Sequence, residues 1–458
     1  MKETNENTIV NHLESQRAFF ATNHTKDVQF RLEQLSKLKK VVVEYEERIQ
    51  EALWHDLHKS PEEAYLTEIS LILSEIDNHS NHLKKWAKPQ RVKTPIYLRP
   101  SSSKVIHEPL GVALIVSPWN YPFQLLFNPL VGSISAGCCT ILKPSPDTPS
   151  VAKLMEEMIA KTFPTNYIAL VQGGKETNTL LFKQRFDLMF FTGSPTVGKV
   201  VMKAAAEHLA PVVLELGGKS PCIVDKDANI DIAAKRIVFG KLINAGQTCI
   251  APDYLFAHHT IKDELLNKIV FHTKEMYGSD IQKSRFFPRI VNDEAMSRLA
   301  GLLNEGTIHS GGEVDFKERY IAPTIIDDVK PEHAIMQREI FGPILPVLTF
   351  DDIAEPIAYI NQNEKPLAFY YFGNNDKAKQ VLNSTTSGGA CINDTIMHVA
   401  NHHLPFGGVG NSGMGNYHGH ESFLAFSNRR AVVNSPTWLD MPFKYVPFKN
   451  FGLMKKMM

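Results

Sequence analysis

From Gly111 to the early 380s, short apolar runs alternate with segments of helical period, and few architectures accept that rhythm. The apolar runs fall at 112–116, 139–142, 167–171, 188–191 and 211–214. Helical patterns lie between them: Phe127, Leu130, Val131 and Ile134 mark one, and 151–162 and 200–206 carry others. Strands that are apolar along their whole length need cover on both faces, which crossover helices provide. The pattern predicts an α/β architecture with a parallel sheet. Right-handed crossovers then place the strand ends, and any ligand, along one edge. After Gly217-Gly218 the alternation resumes, with strands at 223–224, 254–256, 345–348 and 369–372 and helices at 230–243, 263–276, 353–360 and 377–382. That predicts a second α/β domain.

A chain of 458 residues is too long for one ordinary core. Lys+Arg and Asp+Glu are both 49, so nothing in the charge favours nucleic acid or an anionic membrane as a partner. The five cysteines are odd in number and irregularly spaced, which points to a reducing compartment rather than a disulfide framework. The first residues carry no apolar run of signal-peptide length, and no stretch approaches the roughly 18 apolar residues of a membrane span. A cytoplasmic protein is expected. Residues 1–90 read as packing helices, with Leu32, Leu35, Leu38, Val42, Ile49 and Leu53 on one face and a second pattern from Leu66 to Trp86.

Residues 94–109 break both patterns. Ile96-Tyr97-Leu98 and Val105-Ile106, around Ser101-Ser102-Ser103, predict two strands and a projecting hairpin. The glycine-rich run 406–415 reads as a loop. Gly193 to Lys199 has the G-x-x-x-x-G-K spacing of a P-loop, but Val200 stands where a magnesium-binding hydroxyl belongs, which rejects ATP hydrolysis. A helix started after a strand by Gly193 and Ser194 still offers its N-terminus to a pyrophosphate. His398, His402 and His403 include an i, i+4 pair, but His-Glu-x-x-His and clustered cysteines are missing. A histidine-rich surface loop is the better reading, and no metal site is expected.

Three residues can carry chemistry. Cys249 follows Gly246, Gln247 and Thr248 in what reads as a tight, approachable loop. A free cysteine is usually a small buried hydrophobe, as Cys222 in its apolar run should be; the loop makes Cys249 a candidate nucleophile. Glu215 ends an apolar strand, where it is either half of a structural salt bridge or a desolvated general base. Asn120, in Ser117-Pro118-Trp119-Asn120-Tyr121-Pro122, either closes an Asx-type turn or aims an amide at a developing oxyanion.

Taken together, Pro118-Trp119-Asn120-Tyr121-Pro122, Lys143-Pro144-Ser145, Phe191-Thr192-Gly193-Ser194, Leu214-Glu215-Leu216-Gly217-Gly218-Lys219, Gly246-Gln247-Thr248-Cys249, Glu339-Ile340-Phe341-Gly342-Pro343 and Leu404-Pro405-Phe406-Gly407-Gly408 form an ordered set. In this order the chain resembles the NAD(P)-dependent aldehyde dehydrogenase superfamily over nearly its whole length. Cys249 to Tyr254 and the run 407–415 resemble its class 3 branch. The resemblance implies a Rossmann-type NAD(P)-binding domain at 1–93 and 110–216, a catalytic domain at 217–427, a small β oligomerisation arm at 94–109 and 428–436, and a C-terminal tail at 437–458. It implies that Cys249 attacks an aldehyde, that Asn120 and the Cys249 N–H hold the oxyanion, and that Glu215 activates the water that hydrolyses the thioester. Glu339, Phe341 and Lys143 would hold the nicotinamide ribose, the nicotinamide ring and the adenosine ribose. Gly193, Ser194 and Gly198 would lie beneath the pyrophosphate. Many family members have Glu three residues after the lysine; here Pro146 takes that place, so NADP should be tolerated alongside NAD. A homodimer is implied. Tyr121 and the 398–406 loop suggest a pocket for medium or long aliphatic or aromatic aldehydes. The rivals are a CoA-acylating relative, disfavoured by Glu215, and a silent nucleotide-binding homologue, disfavoured by intact Cys249, Glu215 and Asn120.

Overall fold

The computed structural model describes residues 3–440, 444–448 and 451–457. Two parallel-rich sheets organise it. The first has the order Gly413–Met414, Val212–Leu216, Leu188–Gly193, Val112–Val116, Cys139–Lys143, Ile168–Leu170. All neighbours are parallel except Gly413–Met414. The chain starts at the middle strand, Val112–Val116, steps outward twice, then returns to lay down Leu188–Gly193 on the other side. That reversal makes a switch point between Val112–Val116 and Leu188–Gly193, where open α/β sheets hold their ligands. Register aligns the carboxyl ends: Val116 pairs with both Lys143 and Phe191, and Thr192 pairs with Glu215. Every residue of Val112–Val116 and Cys139–Lys143 is buried. Burying one such Leu or Ile side chain stabilises by about 1.5–3 kcal/mol.

The second sheet runs Thr307–Ser310, Thr324–Asp327, Ile344–Phe350, Tyr254–His258, Pro221–Val224, Ala368–Phe372, Gly389–Ile392. Gly217 to Ser220 join Val212–Leu216 directly to Pro221–Val224. Pro221 pairs with Tyr254 at the amino ends of their strands. The loop before Tyr254 therefore lies at the amino edge of the second sheet, facing the carboxyl edge of the first.

A third sheet pairs Gln90–Val92, Ser102–Pro109 and Ser427–Asn434, all antiparallel. Here the expected hairpin needs correcting. Ile96–Leu98 is a 3-10 turn, and the strand that pairs with Val105 is Gln90–Val92. Pro95 and Pro100 bracket that turn, and proline supplies no N–H to a ladder. The N-terminal helices are also more broken than one apolar face suggests. Val28–Glu44 and Glu46–Leu57 are separate helices, and a π-turn, Tyr65–Ile69, precedes Ser70–Trp86 and turns Leu66 outward, 64% exposed. The 406–415 run is not all loop, because Gly413 pairs with Glu215 and Met414 with Leu214. Among the described residues no helix is long and apolar enough to cross a membrane. Of the expected tail, a short helix, Phe451–Met457, is described, while 441–443, 449, 450 and 458 lie outside the described residues.

Candidate active site

The helix Ile230–Leu242, capped by Asn229, runs into a 3-10 turn, Ile243–Gly246, and then to Cys249. Asn244 and Ala245 take left-handed φ of 52° and 51°, a conformation that costs an ordinary residue roughly 1–2 kcal/mol. Gly246 has φ 75°, and a Cβ there would stand 2.2 Å from the Gly342 carbonyl oxygen. Gln247 fixes the loop. Its Nε2 donates to the carbonyls of Asn244 and Arg289, each at 3.0 Å, and its Oε1 accepts from Val291 N–H at 3.0 Å. Tyr370 Oη donates to the Ile250 carbonyl at 2.5 Å. Within this buried frame Cys249 is half-buried. Burial first, then the Glu339 and Glu215 carboxylates, push its thiol up from the usual range, while the N–H groups of Cys249 and Ile250 act the other way. Cys138, Cys139 and Cys222 are buried in or beside strands.

Asn120 is 2% exposed, just past Val112–Val116 at the switch point. Its Nδ2 donates to the Gln247 carbonyl at 3.0 Å, which ties the first sheet to the Cys249 loop. Its own carbonyl accepts from Asn244 Nδ2 at 2.8 Å and from Lys59 Nζ at 2.9 Å. The sequence reading missed this support. Lys59 and Glu68 are both fully buried and paired at 2.5 Å. Glu68 Oε2 accepts from the N–H groups of Phe123 and Gln124, which start the helix Gln124–Ala136. Glu63 accepts from Asn244 N–H at 2.8 Å, and burial raises its carboxyl to about 7. Tyr121 is half-buried, with its ring 4.0 Å from Lys59 Nζ and its Oη 2.6 Å from Thr248 Oγ1. Lys59 stands among His55, Asp56, His58, Glu62 and Glu63, where a charge gives no local signal, and its partner Asn120 lies 61 residues away.

Glu215 is 3% exposed, and neither carboxylate oxygen has a hydrogen-bond partner among the described residues. Burial alone raises its pKa well above the carboxylate range. Of the two sequence readings, the salt bridge is the one this geometry lacks. Glu339 lies against Gly217, where a Cβ would come within 2.0 Å of its Oε2. Burial and Asp253 raise it to about 8 against the Gly218 N–H, Lys219 and Arg298. Phe341 holds φ 54° and meets Trp119 edge-on at 5.3 Å.

Lys143, at the carboxyl end of its strand, is buried; its Nζ donates to the Pro144 carbonyl at 2.8 Å, and burial lowers it to about 8. Gly193 ends its strand and Ser194 caps the helix Pro195–Ala206. A Cβ at Gly193 would meet the Phe191 ring, and one at Gly198 the Leu216 side chain, each at 2.6 Å. Only glycine lets backbone come this close at the switch point, so these residues fit a dinucleotide whose pyrophosphate faces a helix N-terminus. Pro146 is exposed and places no carboxylate beside Lys143.

The histidine loop needs correcting. His398 is half-buried, stacked on Phe406 at 5.9 Å with Nδ1 3.3 Å from Cys391 Sγ, and burial lowers it to about 4. His402 Nε2 lies 3.1 Å from Ser74 Oγ, and only His403 of the three is exposed. The loop closes as a packed seam because His398 stacks on Phe406 and His402 reaches Ser74 and Glu75. Among the described residues no group of three or more His, Cys, Asp or Glu could hold a metal ion.

A sequence profile of the aldehyde dehydrogenase family matches residues 1–432. The chain is 49% identical over 446 residues to a 4,4'-diaponeurosporen-aldehyde dehydrogenase of Staphylococcus aureus, covering 97% of each chain. It is 43% identical to the dimeric NADP-preferring aldehyde dehydrogenase of Canis lupus familiaris, over 93% of this chain and 95% of that one. Against the aldehyde dehydrogenase family 3 member A2 of Mus musculus it is 46% identical, over 91% of this chain and 86% of that one. A solved structure of a Staphylococcus aureus AldH in a substrate-bound state superposes with a TM-score of 0.96 at 48% identity, covering 98% of this chain and 99% of that one.

Proposed function

Because the chain belongs to the aldehyde dehydrogenase family, in its class 3-like branch, and so oxidises aldehydes to acids with NAD(P)+, we propose that the reaction runs through a covalent acyl group on Cys249. The observation that carries this reading is the hydrogen bond from Asn120 Nδ2 to the carbonyl just before the Cys249 loop tip, which sets an amide donor beside the only half-exposed thiol of that loop. The Cys249 thiol gives its proton to solvent water, and its sulfur bonds to the aldehyde carbon. The carbonyl oxygen becomes an oxyanion held by the second N–H of Asn120 Nδ2 and by the Cys249 N–H. Bound NAD(P)+ supplies the acceptor for the hydride that leaves the same carbon. Glu215 then takes a proton from a water molecule. That water oxygen bonds to the acyl carbon and the carbon–sulfur bond breaks, which releases the acid.

Lys143, Gly193, Ser194, Gly198, Glu339 and Phe341 hold the dinucleotide in this reading, on the first sheet and on the loop that approaches it. The cofactor domain takes 1–93 and 110–216, and the catalytic domain takes 217–427. With Pro146 beside Lys143 nothing at that position repels a 2′-phosphate, so both dinucleotides are used. The substrate is an apolar aldehyde of medium or long chain, or an aromatic one. Its support is the half-buried Tyr121, bonded to Thr248 beside Cys249, and the likeness to the diaponeurosporen-aldehyde enzyme. Replacing Cys249 by Ala should abolish NADH formation with every aldehyde of a chain-length series. Residual activity within about tenfold of the native enzyme would contradict the nucleophile's role.

A further inference from the structure

Asn244, in the turn that leads to Cys249, carries two local costs at once. It is fully buried, yet its Oδ1 has no hydrogen-bond partner among the described residues. A buried acceptor left unpaired is unfavourable. Its backbone is also left-handed, with φ 52° and ψ 32°. Asparagine tolerates that region better than most residues, but the conformation still carries strain. Strain of this kind persists where the surrounding structure holds it, and it clusters at functional sites.

The gain lies on the amide nitrogen. Asn244 Nδ2 donates to the Asn120 carbonyl at 2.8 Å and to the Gln247 carbonyl at 3.1 Å. Both partners only accept, so the nitrogen must face them and the oxygen must point away. The Gln247 carbonyl also accepts from Asn120 Nδ2 at 3.0 Å. The three contacts close a ring. The Asn120 backbone is tied to the Asn244 amide, the Asn120 side chain to the Gln247 carbonyl, and that carbonyl back to Asn244. Asn120 is thereby fixed at both ends against the Cys249 loop, with one N–H of its amide engaged in the ring. Asn244 is itself held. Its N–H donates to Glu63 Oε1 at 2.8 Å, and its carbonyl accepts from Gln247 Nε2 at 3.0 Å.

We propose that Asn244 is a positioning residue for aldehyde oxidation, whose bridging amide aims Asn120 at the oxyanion. The inference rests on the oxyanion role proposed for Asn120. Lys59 holds the same Asn120 carbonyl at 2.9 Å, but it reaches in from the N-terminal region. Asn244 belongs to the turn that leads to the nucleophile, so its bridge sets the donor relative to the Cys249 loop. Without the bridge the Asn120 amide keeps its chemistry and loses its aim, and a small misplacement of a reacting group can slow a reaction by up to about a hundredfold. Asn244→Gly separates the bridge from the backbone, because glycine adopts the left-handed conformation freely and brings no amide. Asn244→Asp keeps the shape and sets an acceptor against two carbonyls.

Single-turnover NADH formation from octanal, with the full-length enzyme and NAD+ in excess, tests this, alongside NAD+ affinity from protein fluorescence. Asn244→Gly and Asn244→Asp should each lower the saturating rate constant by about tenfold or more while NAD+ affinity stays within about twofold. A merely structural role would lower the folded fraction and leave that rate constant native, so a rate within about threefold of native in either folded variant overturns the proposal. Should Asn244→Gly fail to fold, Asn244→Asp decides alone. The route through Asn120 is read from a cycle. Asn120→Ala should slow the step by about a hundredfold, and adding Asn244→Gly to it should change the rate by less than about threefold. Losses that multiply would overturn the positioning role while leaving Asn120 in place. A native rate in Asn120→Ala alone would overturn the oxyanion reading and this inference with it.

Discussion

A buried carboxyl group with no hydrogen-bond partner among the described residues, at the end of a strand, favours its protonated form, and that decides how Glu215 must work. Its base form exists only above a pKa that burial has raised. Thioester hydrolysis in a single turnover should therefore climb with pH through the neutral and alkaline range, and Glu215→Gln should remove the climb. A flat profile in the native enzyme would contradict the base role. Cofactor choice is likewise a one-residue matter. Pro146→Glu restores a carboxylate beside Lys143 and should raise the NAD over NADP ratio of kcat/KM by about tenfold or more. The native ratio should stay below about a thousandfold, and a larger NAD preference would defeat the argument from Pro146. These residues were legible because each interrupts a pattern: an acid ending an apolar strand, a cysteine after Gly246-Gln247-Thr248, an asparagine between two prolines. Lys59 and Glu68 were not. Charged positions in a helical stretch read as solvent-facing, and nothing local announces that their partners are Asn120, Phe123 and Gln124.

At the scale of elements, the site is two strand edges brought face to face and locked by one loop. Lys59→Met would leave Glu68 fully buried with its counter-ion removed, a change that typically costs about 3–5 kcal/mol. Urea unfolding should show that loss, and a midpoint unchanged from the native enzyme would mean the pair is not needed. Gly246→Ala should also destabilise, because its Cβ would press on backbone, 2.2 Å from the Gly342 carbonyl oxygen and 3.0 Å from that of Lys241. The alternating strands were readable from apolar runs, since burial on both faces leaves a plain signal. The 3-10 turn at Ile96–Leu98 was hidden by an apolar triplet of strand type, although the flanking prolines carried the information. The pairing of Gly413 with Glu215 was hidden too, since glycine-rich composition speaks for turns and not for the edge of a sheet.

For the whole molecule, Val92 and Val433 on the third sheet, Ile96 and Leu98 in the turn that joins its first two strands, and Trp438 beyond its last strand are exposed. Scattered apolar residues are ordinary on a surface, but a cluster on an edge sheet suits an interface. On that ground we propose that the arm joins two copies of the chain. Ile96→Asp with Val433→Asp should turn a dimer into a monomer in sedimentation, and a dimer that persists would place the interface elsewhere. The α/β class and the two sheets were legible from rhythm alone. The way the sheets face one another was not, because it depends on the short Gly217 to Ser220 link and on the register that levels Lys143, Phe191 and Thr192–Glu215. That arrangement serves one purpose in this account: an acyl group is made on Cys249 and removed with Glu215. The most direct measurement is rapid-mixing NADH formation by Glu215→Gln, with mass analysis of the Cys249 peptide. The account predicts a burst of about one NADH per subunit, an acylated Cys249, and a steady rate lower by roughly a hundredfold or more. Cofactor binding without a burst, and with Cys249 unmodified, would contradict it.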